Sequence, residues 1–201
     1  YDKDNWVFDV EKNKGNFKFI FKPIDVSVYA KQYLLNYADY IIFMSATIIS
    51  HEGFSLTLGL PYNKIVSIKE DSPFPIENRP IIFSSCGSMS SKNITNTMPY
   101  MIKAIDSILE NHKNEKGIIH THNTKISENI YNSLSKKYRN RILLAYGSNR
   151  DDVLKKHINS KQPTILLSPS MAEGVDLKGN LSSFQIICKM PFPYLGDKVI
   201  K

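Results

Sequence analysis

The sequence predicts an α/β fold with an open parallel sheet and helices on both faces, spread over roughly the second two-thirds of the chain. Two observations predict it. Short apolar runs such as "GIIH", "RILLAY", "PTILLS" and "FQIICKM" alternate with segments of helical period. The runs are also continuous rather than alternating, the pattern of strands covered on both sides.

Taken in order, "NFKFIFKPIDVS" reads as a strand ended by Pro23, "VYAKQYLLNYA" as a helix, and "DYIIFMSATI" as a buried strand closing on small hydroxyl residues. The stretch "DSPFPIENRP" is dense in proline and reads as an ordered but irregular connector, which places a domain boundary near residues 49 to 60. A helix follows from about Asn93 to His112. There Ile94, Met98, Met101, Ile102, Ile105, Ile108 and Leu109 make one apolar stripe. "GIIHTHN" is then a strand with a polar end, and "KISENIYNSLSKK" a helix with Ile126, Ile130 and Leu134 four residues apart. "RILLAY" is the next strand, and "GSNRDDVLKKHI" a helix opened by Ser148 and Asp151 in capping-box spacing. "PTILLS" and "FQIICKM" complete the series.

In parallel sheets ligands bind beyond the carboxyl ends of the strands. The polar residues Thr121 to Asn123, Gly147-Ser148 and Ser168 to Asp176 are therefore expected along one edge.

Composition narrows the partners. The chain has 201 residues, with 26 Lys plus Arg against 19 Asp plus Glu, a net charge of +7 that favours polyanions through phosphate contacts. The dense run Lys136 to Arg141 reads as a solvated helix end. No apolar run is long enough to span a membrane and the first residues lack a signal peptide's order, so a soluble, intracellular protein is expected: cytoplasm or nucleoid in a prokaryote, nucleus in a eukaryote. Cys86 and Cys188 lie far apart in sequence and read as ordinary half-buried thiols. His120 and His122 would share a face of a strand, but no third ligand is near in sequence, and no metal site is expected.

Two apolar runs end in small hydroxyl residues, Ser45-Ala46-Thr47 and Ser168-Pro169-Ser170. Such residues let a phosphate approach closely and still find donors. Their order resembles that of a known group. "MSATI" (Met44 to Ile48) is similar to helicase motif III, "IHTHN" (Ile119 to Asn123) stands where motif IV is expected, and "LLSPSMAEGVDLKG" (Leu166 to Gly179) resembles motif V of the XPD/DinG group of superfamily 2 helicases. "SPFPIENRP" and "FQIICKMPFPYLGD" are similar to further stretches of that group, the second tilting the resemblance toward the XPD-like branch.

The resemblance implies a RecA-like fold of the P-loop NTPase type. Residues 1–50 would be the end of the first motor domain, and 51–201 the second RecA-like domain, stopping before motif VI. It implies Glu173, Gly174 and Asp176 on the nucleotide side, with Asp176 near the ribose and Glu173-Gly174 forming a coupling turn. Thr121, Asn123, Ser168 and Ser170 would face DNA phosphates, and Ser45 with Thr47 would couple hydrolysis to grip. It also implies ATP and Mg²⁺ as cofactors, held mainly by a first motor domain, together with a possible iron–sulfur cluster upstream. The implied partners are single-stranded DNA, DNA forks and the other motor domain of the same polypeptide. No catalytic residue is expected within these 201 residues, because neither a GxxxxGK[ST] loop, an Asp-Glu-x-His box nor an arginine-bearing motif VI is present. The same absences suit a non-enzymatic nucleic-acid-binding module. A Rossmann-type enzyme is disfavoured, since no GxGxxG follows a strand. Residues 1 to about 50 are expected to pack irregularly, to pair between chains or to lie loosely.

Overall fold

The computed structural model describes residues 3–13, 15–171 and 175–192. The chain divides into two units, one running to Pro80 and the other from Ile81 to Phe192.

In the first unit, β1 (Trp6–Asn13) and β2 (Asn16–Pro23) form an antiparallel hairpin, with Gly15 at φ 90° in the turn. Glycine takes that conformation without the Cβ clash other residues meet. The strand expected over "NFKFIFKPIDVS" is β2, and it pairs in a two-stranded sheet of its own rather than with the later strands. The period of 2 puts Phe8, Val10, Phe19 and Phe21 on one face, all of them exposed. Helices α1 (Ser27–Tyr33) and α2 (His51–Thr57) follow. The Ser50 hydroxyl caps α2 by accepting from the Gly53 N–H at 3.0 Å.

"YIIFMSATI" does not form the expected strand. Residues 41–45 carry no strand pairing and Met44 is 88% exposed. An apolar run becomes a strand only when neighbouring strands satisfy its backbone, and among the described residues none pairs with it.

The second unit is built on a parallel sheet. Helix α3 (Ile94–Asn111) leads to β3 (Gly117–His120), then α4 (Thr124–Ser133), α5 (Lys136–Arg139), β4 (Ile142–Leu144), α6 (Arg150–Asn159), β5 (Ile165–Ser168) and β6 (Phe184–Ile187). The strand order is β4-β5-β3-β6, all parallel. Alternate strand residues enter two separate cores. Ile119, Ile142, Ile165 and Leu167 pack with Met98, Met101, Ile105 and Leu109 of α3 and with Ile126 and Ile130 of α4. Ile118 and Leu166 pack on the other face with Val153 and Leu154 of α6. The expected fold class, an open parallel sheet with helices on both faces, is what forms.

Chain direction explains the two faces. From β3 to β4 the chain crosses the sheet one way, and from β4 to β5 it returns. With right-handed crossovers, a reversal of direction sends the intervening helices to opposite faces.

Three local expectations change. The helix over "KISENIYNSLSKK" breaks at Leu134, whose extended ψ of 147° turns its side chain into the core (1% exposed) before α5 begins. The Ser148–Asp151 capping box is not made. A short 3₁₀ turn over Gly147–Asn149 precedes α6 instead, and the Asn149 carboxamide oxygen accepts from the Tyr146 N–H at 2.9 Å. Asp151 and Asp152 then fall in the first turn of α6, where the helix dipole favours carboxylates.

The basic run Lys136 to Arg141 is also not simply a solvated helix end. Lys137 and Tyr138 both bond Glu110, and Arg139 donates to the carbonyls of Asn132 and Leu134. The Arg141 guanidinium donates to the carbonyls of Pro163 at 2.7 Å, His112 at 2.9 Å and Glu115 at 2.8 Å. With Lys116 Nζ donating to the His157 carbonyl at 2.6 Å, these cations cap helix C-termini and stitch the sheet's amino edge.

Candidate functional site

The site follows from topology. The connection after β3 enters α4 on one face, whereas the connection after the adjacent β5 carries Met171, Val175 and Leu177 to the other. Two adjacent strands whose following loops part to opposite faces leave a crevice at their carboxyl ends. The loops that part here are Thr121 to Asn123 and Ser168 to Asp176.

A backbone bond joins the two loops at their roots, where the Thr121 N–H donates to the Ser168 carbonyl at 3.1 Å. Thr121 is wholly buried. Its hydroxyl donates to the Asn123 carbonyl at 3.1 Å and shares a 2.6 Å hydrogen bond with Ser127. Ser168 is likewise buried, and its hydroxyl accepts from the Ser170 N–H at 3.2 Å. Both hydroxyls shape the loops from within.

Asn123 is exposed at the start of α4, where its side-chain oxygen accepts from the Ile126 N–H at 3.2 Å. The chain enters that helix through His122 at φ 52°, a left-handed conformation that costs a non-glycine residue energy. Ser170 is exposed, and so is Asp176, paired with Lys178 at 3.3 Å. Glu173 and Gly174 lie outside the described residues. Thus, among the described residues, this edge offers to solvent Asn123, Ser170, Asp176 and Lys178 from these two loops, and Ser148 from the loop after β4.

His120 ends β3 and is 8% exposed. β3 stops at His120 and His122 has turned out of the strand, yet the two imidazoles remain neighbours as expected, roughly parallel with centroids 6.3 Å apart. Burial holds His120 below the usual imidazole range, a hydrogen bond with Gln185 acts against this, and His122 lowers it further. It is therefore neutral at pH 7, with Nδ1 buried and unpaired. Among the described residues no group of three His, Cys, Asp or Glu side chains is placed to hold a metal ion.

Ser45 and Thr47 belong to the other unit. They form a local hydroxyl turn in which the Thr47 N–H donates to Ser45 Oγ at 3.1 Å, with both residues exposed. The roles of Ser127 and Gln185 were missed in the sequence reading. Ser127 had a signal, since it follows Ile126 on the buried stripe of α4, where an unpaired hydroxyl would be costly. Gln185 had none, because its partner arrives from another strand.

The sheet order, the two covered faces and the crevice at the carboxyl edge define a RecA-like α/β domain. Residues 105–201 match the family model of the helicase C-terminal domain, found in XPD/DinG/Rad3-type helicases, and that stretch is similar to it. No curated protein matches the chain at a significant level. Among the described residues, no helix is long and apolar enough to cross a membrane.

Proposed function

We propose that this chain is the second motor region of an ATP-dependent DNA helicase of the XPD-like branch, which couples hydrolysis to 5′ to 3′ movement on single-stranded DNA and to the opening of forks. The observation that carries the reading is that the segments after the adjacent strands β3 and β5 go to opposite faces of the sheet, on a stretch similar to a helicase C-terminal domain.

Roles follow from what each side chain offers. Ser170 and Asn123 are exposed at the edge and suit backbone phosphates, which hydroxyls and amides hold without reading bases. Thr121 and Ser168 keep those loops in shape. Asp176 carries a carboxylate on the same loop, suited to sugar hydroxyls rather than to phosphates. Glu173-Gly174 is the coupling turn, and Ser45 with Thr47 serves the first motor domain in the same role. Residues 1–50 belong to that first domain and 51–201 to the second.

Bound ATP supplies the free energy of the cycle, and phosphoryl transfer relies chiefly on positioning and charge stabilisation. Among the described residues no group of three His, Cys, Asp or Glu side chains would hold Mg²⁺ without the phosphates of the nucleotide, and the two cysteines of the chain are too few for a four-cysteine cluster. In this reading the first motor domain is the main holder of ATP and Mg²⁺, and the 201 residues alone are expected to be silent toward ATP.

The test is ATP hydrolysis by the full polypeptide, with and without single-stranded DNA, with this chain as control. Strong stimulation by DNA supports the motor. A folded, DNA-binding polypeptide without hydrolysis sinks it in favour of a binding module. In an active polypeptide, Asp176→Ala should lower nucleotide-dependent turnover and leave single-strand affinity nearly intact; the reverse pattern removes Asp176 from the nucleotide side.

A further inference from the structure

Cys86 and Cys188 are the two cysteines of the chain, and both pack against one apolar cluster, near enough for Cys86 to act on the Cys188 thiol. Helix α3 leads into β3 and so runs opposite to the strands. The stacking of His112 on Phe184, 4.4 Å between ring centroids, pins its last turn at the beginning of β6. The first turns of α3 therefore point toward the sheet's carboxyl edge. Cys188 stands there, one residue past β6, with its N–H donated to the His120 carbonyl at 2.9 Å.

The segment before α3 folds against the same end. The Thr97 hydroxyl donates to the Ser88 carbonyl at 2.8 Å, and a Cβ on Gly87 would sit 3.1 Å from Thr97 Oγ1. Cys86 immediately precedes this contact. Both cysteines are free, half-buried and packed against the same apolar cluster of α3 and α4. The Cys86 thiol makes only a weak 3.9 Å contact to the Ser84 carbonyl, which leaves it free to turn.

We propose that Cys86 and Cys188 are a redox modification site, closing to an intramolecular disulfide when hydrogen peroxide oxidises them. This goes beyond the motor reading and does not depend on it. The Cys86 sulfur attacks the peroxide; the O–O bond breaks, one water leaves and a sulfenic acid forms. The Cys188 sulfur then displaces the sulfenic oxygen, forming the S–S bond, and its proton leaves with that oxygen as a second water. Two thiols and one hydrogen peroxide thus become one disulfide and two waters.

The order of attack follows from environment. Burial, reinforced by the neighbouring Cys86, pushes the Cys188 thiol up to about 12, so it stays protonated at neutral pH and acts second. Closure would tie the segment entering this unit to the end of β6, whose next bond is to His120 on the candidate crevice. The bridged loop is long, roughly 100 residues, and long loops are where a cross-link most constrains the unfolded chain.

The experiment treats the full chain at low concentration with hydrogen peroxide, followed by peptide mapping without reductant and by thermal unfolding. The expected result is a monomer in which the Cys86 and Cys188 peptides are joined, two hydrogens lighter and released by dithiothreitol. Its unfolding midpoint should rise by about 5 °C or more. Cys86→Ser, which leaves Cys188 in place, should abolish both the cross-link and the rise. Oxidation of Cys86 to sulfinic acid with Cys188 still free, or disulfides formed only between molecules, overturns the proposal. So does a joined pair with no rise in midpoint, because the bond would then strain the native fold by as much as it constrains the unfolded chain, and the two sulfurs would not be placed to meet.

Discussion

Two apolar runs of nearly the same composition have opposite fates. "ILLS" is β5, between β4 and β3, and Ile165, Leu166 and Leu167 are wholly buried. "YIIFMS" has equal claim to be a strand by its residues, yet Ile42 is 84% exposed and its backbone joins no ladder. The difference lies in partners. A parallel strand needs neighbours on both edges for its backbone and helices above and below for its side chains, and the unit from Ile81 onward supplies both. The same contrast holds between the β1–β2 hairpin, with its exposed phenylalanines, and β3, buried along its whole length.

The largest effect that would sharpen this comparison is a truncation of equal size in each run. Leu166→Ala should destabilise by about 2–5 kcal/mol, and Ile42→Ala should fall within about 0.5 kcal/mol of the parent. Denaturant unfolding of both variants decides it; equal losses would mean that the exposed run is packed in solution.

Next comes Gly117, which faces the Phe184 ring so closely that a Cβ would lie 2.5 Å from it. Gly117→Ala should cost about 1–3 kcal/mol by overpacking. Adding Phe184→Leu should recover part of that, read as a coupling energy in a double-mutant cycle. Strict additivity would break the account.

A similar or smaller loss is expected for Arg141→Lys, about 1–2 kcal/mol. An ammonium keeps the charge but not the fork that reaches three carbonyls. Its signature is faster amide exchange at the amino ends of β3 and β5, with the carboxyl edge unchanged.

The smallest effect is one of pH. His157 is wholly buried, its Nε2–H donating to the Leu181 carbonyl at 2.8 Å and its Nδ1 accepting from the Thr164 hydroxyl at 2.9 Å. Burial pushes it below the ordinary value of 6.5, the bond to Leu181 acts against this, and Lys116 lowers it further. As pH falls below 6.5, the unfolded chain takes up a proton that the folded chain refuses, so this contribution is intact above that pH and is lost below it. Unfolding measured between pH 7.5 and 5.5 should show stability falling with acid, and His157→Gln should flatten part of that slope. An unchanged slope in the variant would remove His157 as its source.

Much of the second unit was legible because periodicity is local. The stripe from Ile94 to Leu109 and the runs at 117–120 and 165–168 carry their pattern within a few residues, and the polar residues beyond each strand follow from chain direction. The fate of hydroxyls was not legible. Thr121 and Ser168 share a residue type and an edge with Ser170, yet two are buried and one is exposed, because Ser127 and the loop's own amides claim the first two. The proximity of Cys86 and Cys188 was equally hidden, since it depends on where α3 crosses β6.

The sequence by itself determined which segments could be helices and strands, that the sheet would be parallel, and which loops would share its carboxyl edge. All three follow from side-chain spacing and chain direction. Only the tertiary structure decided which apolar runs found partners and which polar groups were consumed inside, because backbone pairing and burial are settled between segments far apart in the chain.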